Sequence, residues 1–61
     1  MRHILRQANN VVLCFLDHNA HTPFVTWRIE NDDPNTSYSG NYFETLTPAV
    51  ADFKKRSGVA A

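Results

Sequence analysis

The stretch VVLCFLD, residues 11–17, decides the fold of this chain. Its β-branched and aromatic side chains predict a strand, bounded on one side by Asn10 and on the other by His18 and Asn19. Both faces of this strand are apolar, which indicates that other parts of a structure cover both of them.

Two further strands are expected after it. Residues 24–30 alternate, with Val25, Trp27 and Ile29 on one face and polar or charged side chains on the other. Residues 18–23 then form a loop, and residues 31–36 form a turn because Asn, Asp and Pro favour turns. Residues 37–43 predict a third strand, which contains Gly40, and an interior glycine is typical of a bulge or a close approach.

One C-terminal helix follows. Thr45 can cap its first turn, Pro48 is tolerated there, and Gly58 is the expected end. An amphipathic stripe has the helical spacing i, i+3, i+4, i+7, with the members Leu46, Ala49, Val50 and Phe53. The predicted fold class is α+β: a three-stranded antiparallel β-meander (β-β-β-α) with one C-terminal helix packed on one face.

Composition limits the size and class of the protein. The 61 residues are 43% hydrophobic and 20% charged, which predicts a single small domain over residues 1–61, with residues 1–9 as a frayed polar lead-in. Six basic residues balance six acidic ones, so a coat for nucleic acid or for an anionic membrane is disfavoured. Cys14 is the single cysteine and lies in an apolar run too short to span a membrane, which favours a cytoplasmic protein.

The two sheet faces follow from a choice of register. If Leu16 pairs with Phe24, and Glu30 with Ser37, then Trp27 lies opposite Gly40 on the more apolar face, which we assign to the helix. The other face remains apolar without a cover, and such patches are typical of interfaces. We therefore expect a homodimer through this outer face, with Arg28 as a polar anchor. The expected partner surface consists of Val12, Leu16, Phe24, Arg28 and Phe43.

The sequence gives little support for a metal site or a catalytic site. Cys14, His18 and His21 have a metal-ligand spacing, C-x3-H-x2-H, but structural zinc sites need four ligands and a second pair is absent. We therefore expect no metal site there and no cofactor. A mid-strand cysteine between Leu13 and Phe15 is typical of an inert core thiol rather than a nucleophile. Neither paired acid–base residues nor a glycine-rich phosphate loop is present, so we expect a protein that is not an enzyme.

Nucleic-acid binding is the alternative. Arg28 on a sheet face and the basic run at the helix end provide phosphate contacts, namely Arg28, Lys54, Lys55 and Arg56. The same run also suits the negative end of a helix dipole.

A resemblance to AP2-type domains and to the arm-binding domains of integrases supports this alternative. Trp27-Arg28-Ile29, Ser39-Gly40 and the spacing Phe43, Thr45, Ala49, Phe53 carry it, over roughly the last 35 residues. The resemblance implies a three-stranded sheet on one helix, with the sheet face in the DNA major groove. This sequence lacks the basic residues that line the sheet in that family. The principal expectation is therefore a self-associating, non-enzymatic interaction module, with nucleic-acid binding or zinc binding as alternatives.

Overall fold

The computed structural model describes residues 2–31 and 33–58, which form four strands and one helix. The strands are β1 (Arg2–Ala8), β2 (Val11–Leu16), β3 (Phe24–Glu30) and β4 (Asp33–Phe43), and the helix is α1 (Leu46–Ser57). All neighbouring strands pair antiparallel, in the order β1-β2-β3-β4. The small α+β domain with an antiparallel sheet and a C-terminal helix is as predicted, but the sheet has four strands rather than three.

The additional strand is β1, in the segment that the sequence predicts to be a lead-in. It pairs along the length of β2 through a tight hairpin in which Ala8 lies opposite Val11. The two turn residues, Asn9 and Asn10, have φ angles of 49° and 61°. These angles are typical of a type I′ turn, a conformation that asparagine tolerates. The side chains of β1 are mostly exposed because it is an edge strand, so apolar patterning did not reveal it.

The register between β2 and β3 differs by one residue from the expected one. Phe24 lies opposite Phe15 rather than Leu16, and Trp27 lies opposite Val12. A shift of one residue moves every side chain of a strand to the other face of the sheet. The side of β3 that packs towards α1 is therefore the one with Phe24, not the one with Trp27.

The strand β4 is longer than predicted and irregular. Its C-terminal half has the expected register, with Phe43 opposite Phe24, but bulges shift the pairing so that Glu30 lies opposite Asp33 rather than Ser37. The hydroxyl group of Thr36 stabilises this irregular stretch, because it accepts a 2.7 Å hydrogen bond from the N–H of Glu30. Most of the predicted turn at residues 31–36 is thus strand. Asp32, which belongs to that predicted turn, lies outside the described residues.

The bounds of α1 agree with those that the sequence predicts. Gly58 ends the helix with a φ of 75°, and its N–H donates to the carbonyl of Lys54 at 3.0 Å. Thr45 precedes the first turn, although its side chain makes no capping hydrogen bond within the described chain. Ala49 and Phe53 are buried as predicted. None of the described helices is long and apolar enough to cross a membrane.

Two apolar clusters form, one on each side of the sheet. The cluster under α1 consists of Val11, Leu13, Ala49 and Phe53, flanked by Ala8, Phe24, Phe43 and Val50. The opposite side of the sheet, which we call the helix-free face, carries the second cluster, and its members are Val12, Cys14, Leu16, Val25 and Ile29, with Trp27 packed against them. All five of these members are buried.

The helix-free face is buried because the sheet curls over it. Arg2 in one edge strand donates to the carbonyl of Pro34 (3.1 Å) and lies 3.2 Å from the hydroxyl of Ser37, both in the other edge strand. In a flat sheet these edges would be about 14 Å apart, beyond the reach of an arginine. Bulges in β1 and β4 increase the twist that brings the edges together. The centre of the helix-free face is therefore covered within the chain itself.

Candidate interaction surface

The five residues of the expected partner surface do not lie on one face. Val12 and Leu16 are buried on the helix-free face, whereas Phe24 and Phe43 are half-buried beside the cluster under α1. Arg28 is exposed and pairs across the strands with Tyr38. The one-residue change in register separates them, so these residues do not together form a docking surface.

The helix-free face exposes apolar side chains only at its ends. Ile4, Cys14, Val25 and Tyr42 form one row across the four strands. The two central residues are fully buried, whereas Ile4 is 46% exposed and Tyr42 is 51% exposed. The guanidinium of Arg2 lies 5.7 Å from the centre of the Trp27 ring, which packs on the same face. The exposed apolar area is therefore divided between two edges.

A continuous apolar surface lies on the helix instead. One side of α1 lines a groove of about 570 Å³, and we call it the α1 outer stripe, with the members Leu46, Thr47, Val50, Ala51 and Lys54. Leu46 belongs to the stripe that is predicted to face the core, but 44% of this residue is exposed. The helix carries two apolar stripes, at 46/50 and at 49/53. The second is buried against the sheet, whereas the first is only partly covered, because Val50 is half-buried beside the cluster under α1 and Leu46 is exposed. The spacing i, i+4 in both stripes is the signal that could have revealed the outer one.

A network of hydrogen bonds and one ion pair connects the opposite side of α1 to the sheet. Asp52 accepts hydrogen bonds from the buried hydroxyl of Thr26 (2.5 Å) and from the amide of Asn41 (3.2 Å). Arg56 lies 3.6 Å from Asp52 and donates to the carbonyl of Ser39 at 2.7 Å. Ser39 has a φ of 56°, so Arg56 supports a bulged residue of β4. Arg56 thus has a structural role, and Lys54 and Lys55 remain as the accessible cations of the predicted basic run.

A polar cleft of about 460 Å³ surrounds Arg28 where two hairpin turns meet. Its lining includes Asn10, Asn31, Tyr38 and one acidic residue, Glu30. Among the described residues, no carboxylate lies within ion-pair distance of Arg28.

The predicted metal candidates are not brought together. Cys14 is buried on the helix-free face, and burial raises the pKa of its thiol, an effect that the charge of Arg2 partly opposes. His18 and His21 lie exposed in the following loop. Asp17 lies between two histidines, with 2.8 Å between its Oδ2 and Nε2 of His3 and 3.8 Å between its Oδ1 and Nδ1 of His18. Within residues 2–31 and 33–58, no three His, Cys, Asp or Glu side chains form a group that could hold a metal ion.

Comparisons of the chain with protein-family models, with curated proteins and with solved structures found no match. The resemblance to AP2-type domains therefore has no support beyond the residues that suggested it. Of those residues, Ala49 and Phe53 are buried and Phe43 is half-buried, so they serve the packing of α1 on the sheet.

Proposed function

We propose that this protein is a small non-enzymatic interaction module that self-associates through the α1 outer stripe. The observation that carries the proposal is the apolar groove along α1, in which Leu46, Thr47 and Ala51 are exposed and Val50 is only half-buried. Apolar grooves between or along helices are common sites of protein association. The proposed contact therefore lies on the helix, whereas the sequence predicts it on the outer sheet face.

A second copy of the chain is the partner that needs fewest assumptions. The formal net charge is zero, so two copies do not repel each other over long distances. A chain of this size also buries a small core, and a self-complementary contact adds apolar burial without another gene product. The stability of the fold should then depend on protein concentration.

The test is the solution mass, measured by light scattering after size exclusion from about 10 μM to 1 mM. We expect a rise from 7.0 kDa towards twice that value. The melting temperature should rise over the same range because dimerisation stabilises the folded state. A mass of 7.0 kDa with an unchanged melting temperature at every concentration would contradict the proposal.

Nucleic-acid binding is a second candidate, favoured by the cleft around Arg28. An arginine with no described carboxylate partner, beside the half-exposed ring of Tyr38, offers a phosphate contact next to a stacking surface. The test is fluorescence anisotropy with a labelled single-stranded oligonucleotide in 20 mM salt. This candidate requires binding that weakens steeply with salt and that Arg28→Ala removes. Unchanged anisotropy at millimolar protein would dismiss it.

A further inference from the structure

The α1 outer stripe has a direction as well as an apolar character. Its members recur at i, i+1, i+4, i+5 and i+8, so they form one continuous strip along the helix. Leu46 and Thr47 lie at its N-terminal end, Val50 and Ala51 lie in the middle, and Lys54 lies at its C-terminal end. Asp52 and Arg56 are held against β3 and β4 and do not belong to it. The strip is therefore apolar at one end and in the middle, and cationic at the other end.

A negative charge lies beyond the apolar end. Glu44 is exposed and precedes α1 by two residues. Neither Glu44 nor Lys54 makes an ion pair with another described residue. The strip thus has an acidic group near the start of the helix and a basic group near its end. A surface with opposite charges at its two ends matches a second copy of itself only when the two copies run in opposite directions.

We propose that two copies of this chain pair through the α1 outer stripe, with their helices antiparallel around a twofold axis beside Val50 and Ala51. This inference rests on the proposed self-association and specifies its geometry. The twofold axis places Lys54 of each copy next to Leu46 of the partner subunit. The aliphatic stem of Lys54 covers that leucine, and its ammonium group reaches the carboxylate of the partner's Glu44.

The middle of the strip suits a close helix–helix contact. Thr47 and Ala51 are small and exposed, so the helix axes can approach to about 8–10 Å. Antiparallel packing also places the positive end of each helix dipole beside the negative end of the other. A parallel arrangement would place Lys54 beside Lys54 and Glu44 beside Glu44. The charges therefore favour one of the two orientations.

The contact between the two helices is small, so we expect the dimer to be weak. A helix of 12 residues is about 18 Å long, so a pair of them buries less than the roughly 800 Å² per partner of a standard interface. We expect a dissociation constant in the micromolar range, about 10 to 500 μM. Measurements must therefore extend to about 1 mM protein.

Charge reversal tests the pairing directly, with sedimentation equilibrium as the readout and circular dichroism as the check of folding. Lys54→Glu and Glu44→Lys should each weaken dimerisation about tenfold, because each change removes two ion pairs and creates two like-charge contacts. The double variant, Glu44→Lys with Lys54→Glu, should restore the dissociation constant to within about twofold. Lys55→Glu is the matched control: it changes the same charge on the same turn, outside the strip, and should have little effect.

Each outcome decides between the pairing and the broader proposal. Dimerisation that is unaffected by the single reversals, or not restored in the double variant, would overturn the antiparallel pairing while self-association remained. A wild-type protein that stays monomeric up to 1 mM would overturn both.

An independent test uses a disulfide at the axis. Ala51→Cys brings two thiols together in the proposed dimer and should give a covalent dimer on mild oxidation, whereas Asn35→Cys, exposed on β4, should not. The native Cys14 is buried and does not compete. Equal cross-linking of both variants, or of neither, would contradict the proposed axis.

Discussion

The indole ring of Trp27 lies directly against Gly40, in the space that a side chain at position 40 would fill. A Cβ atom built on Gly40 would be 2.7 Å from Cδ1 of Trp27 and 3.3 Å from Cε1 of Tyr42. The two rings meet edge to face, with 6.2 Å between their centres and an angle of 88°. Gly40 is therefore required for space, whereas Gly58 is required for its positive φ.

Replacement of this glycine should destabilise the fold. Gly40→Ala forces the Trp27 ring from its place on the helix-free face, and overpacking of this kind costs about 1–3 kcal/mol. Urea unfolding monitored by tryptophan fluorescence measures the loss. In a Trp27→Leu background the same change should cost much less, because the clashing ring is absent. Equal costs in both backgrounds would show that the ring is not the cause.

Arg2 should stabilise the curl of the sheet. Arg2→Ala removes its contacts with Pro34 and Ser37 and uncovers Trp27, which should cost about 1–2 kcal/mol and shift the tryptophan emission to longer wavelength. Arg6→Ala is the control, because Arg6 has the same charge and is exposed on the same strand. The role of Arg2 would be refuted by two variants of equal stability and unchanged emission.

Individual strands and the helix could be predicted where the signal lies within a few neighbouring residues. The sequence predicts α1 within a residue because helical spacing, a basic last turn and Gly58 agree. It also predicts the contact between Trp27 and Gly40, since the C-terminal half of β4 has the expected register. The strand β2 was predicted to be covered on both faces, and it is.

The relative placement of the strands could not be predicted. A shift of one residue in the register between β2 and β3 leaves the strand propensity of every residue unchanged. It nevertheless moves the side chains of β3, Phe24 included, to the other face of the sheet. The curl depends on bulges and on a contact between Arg2 and Pro34, 32 residues apart, so periodicity does not reveal it. The candidate partner surface depended on both features, and its residues therefore lie on different faces.

The Asp52 network should respond to substitution in a graded way. Asp52→Ala leaves the buried hydroxyl of Thr26 without its acceptor, which should cost about 1–3 kcal/mol. Asp52→Asn keeps an acceptor oxygen and should cost less. Adding Thr26→Val to Asp52→Ala should cost less than the sum of the single changes, because the hydroxyl is then absent. Thermal unfolding of the four variants measures these differences, and strict additivity would show that the two side chains are not coupled.

The thiol of Cys14 should report on opening of the helix-free face. Because burial raises the pKa of this thiol, the thiolate that reacts with an aromatic disulfide reagent is scarcer in the native protein than in the unfolded chain. The native protein should therefore be labelled at least about 100-fold more slowly than the protein in 6 M guanidinium, at a rate set by opening of the structure. Arg2→Ala should accelerate native labelling more than Arg6→Ala does, because Arg2 lies against Trp27 on the face that also carries Cys14. Labelling of the wild type as fast as the unfolded chain would show that the helix-free face is open rather than buried.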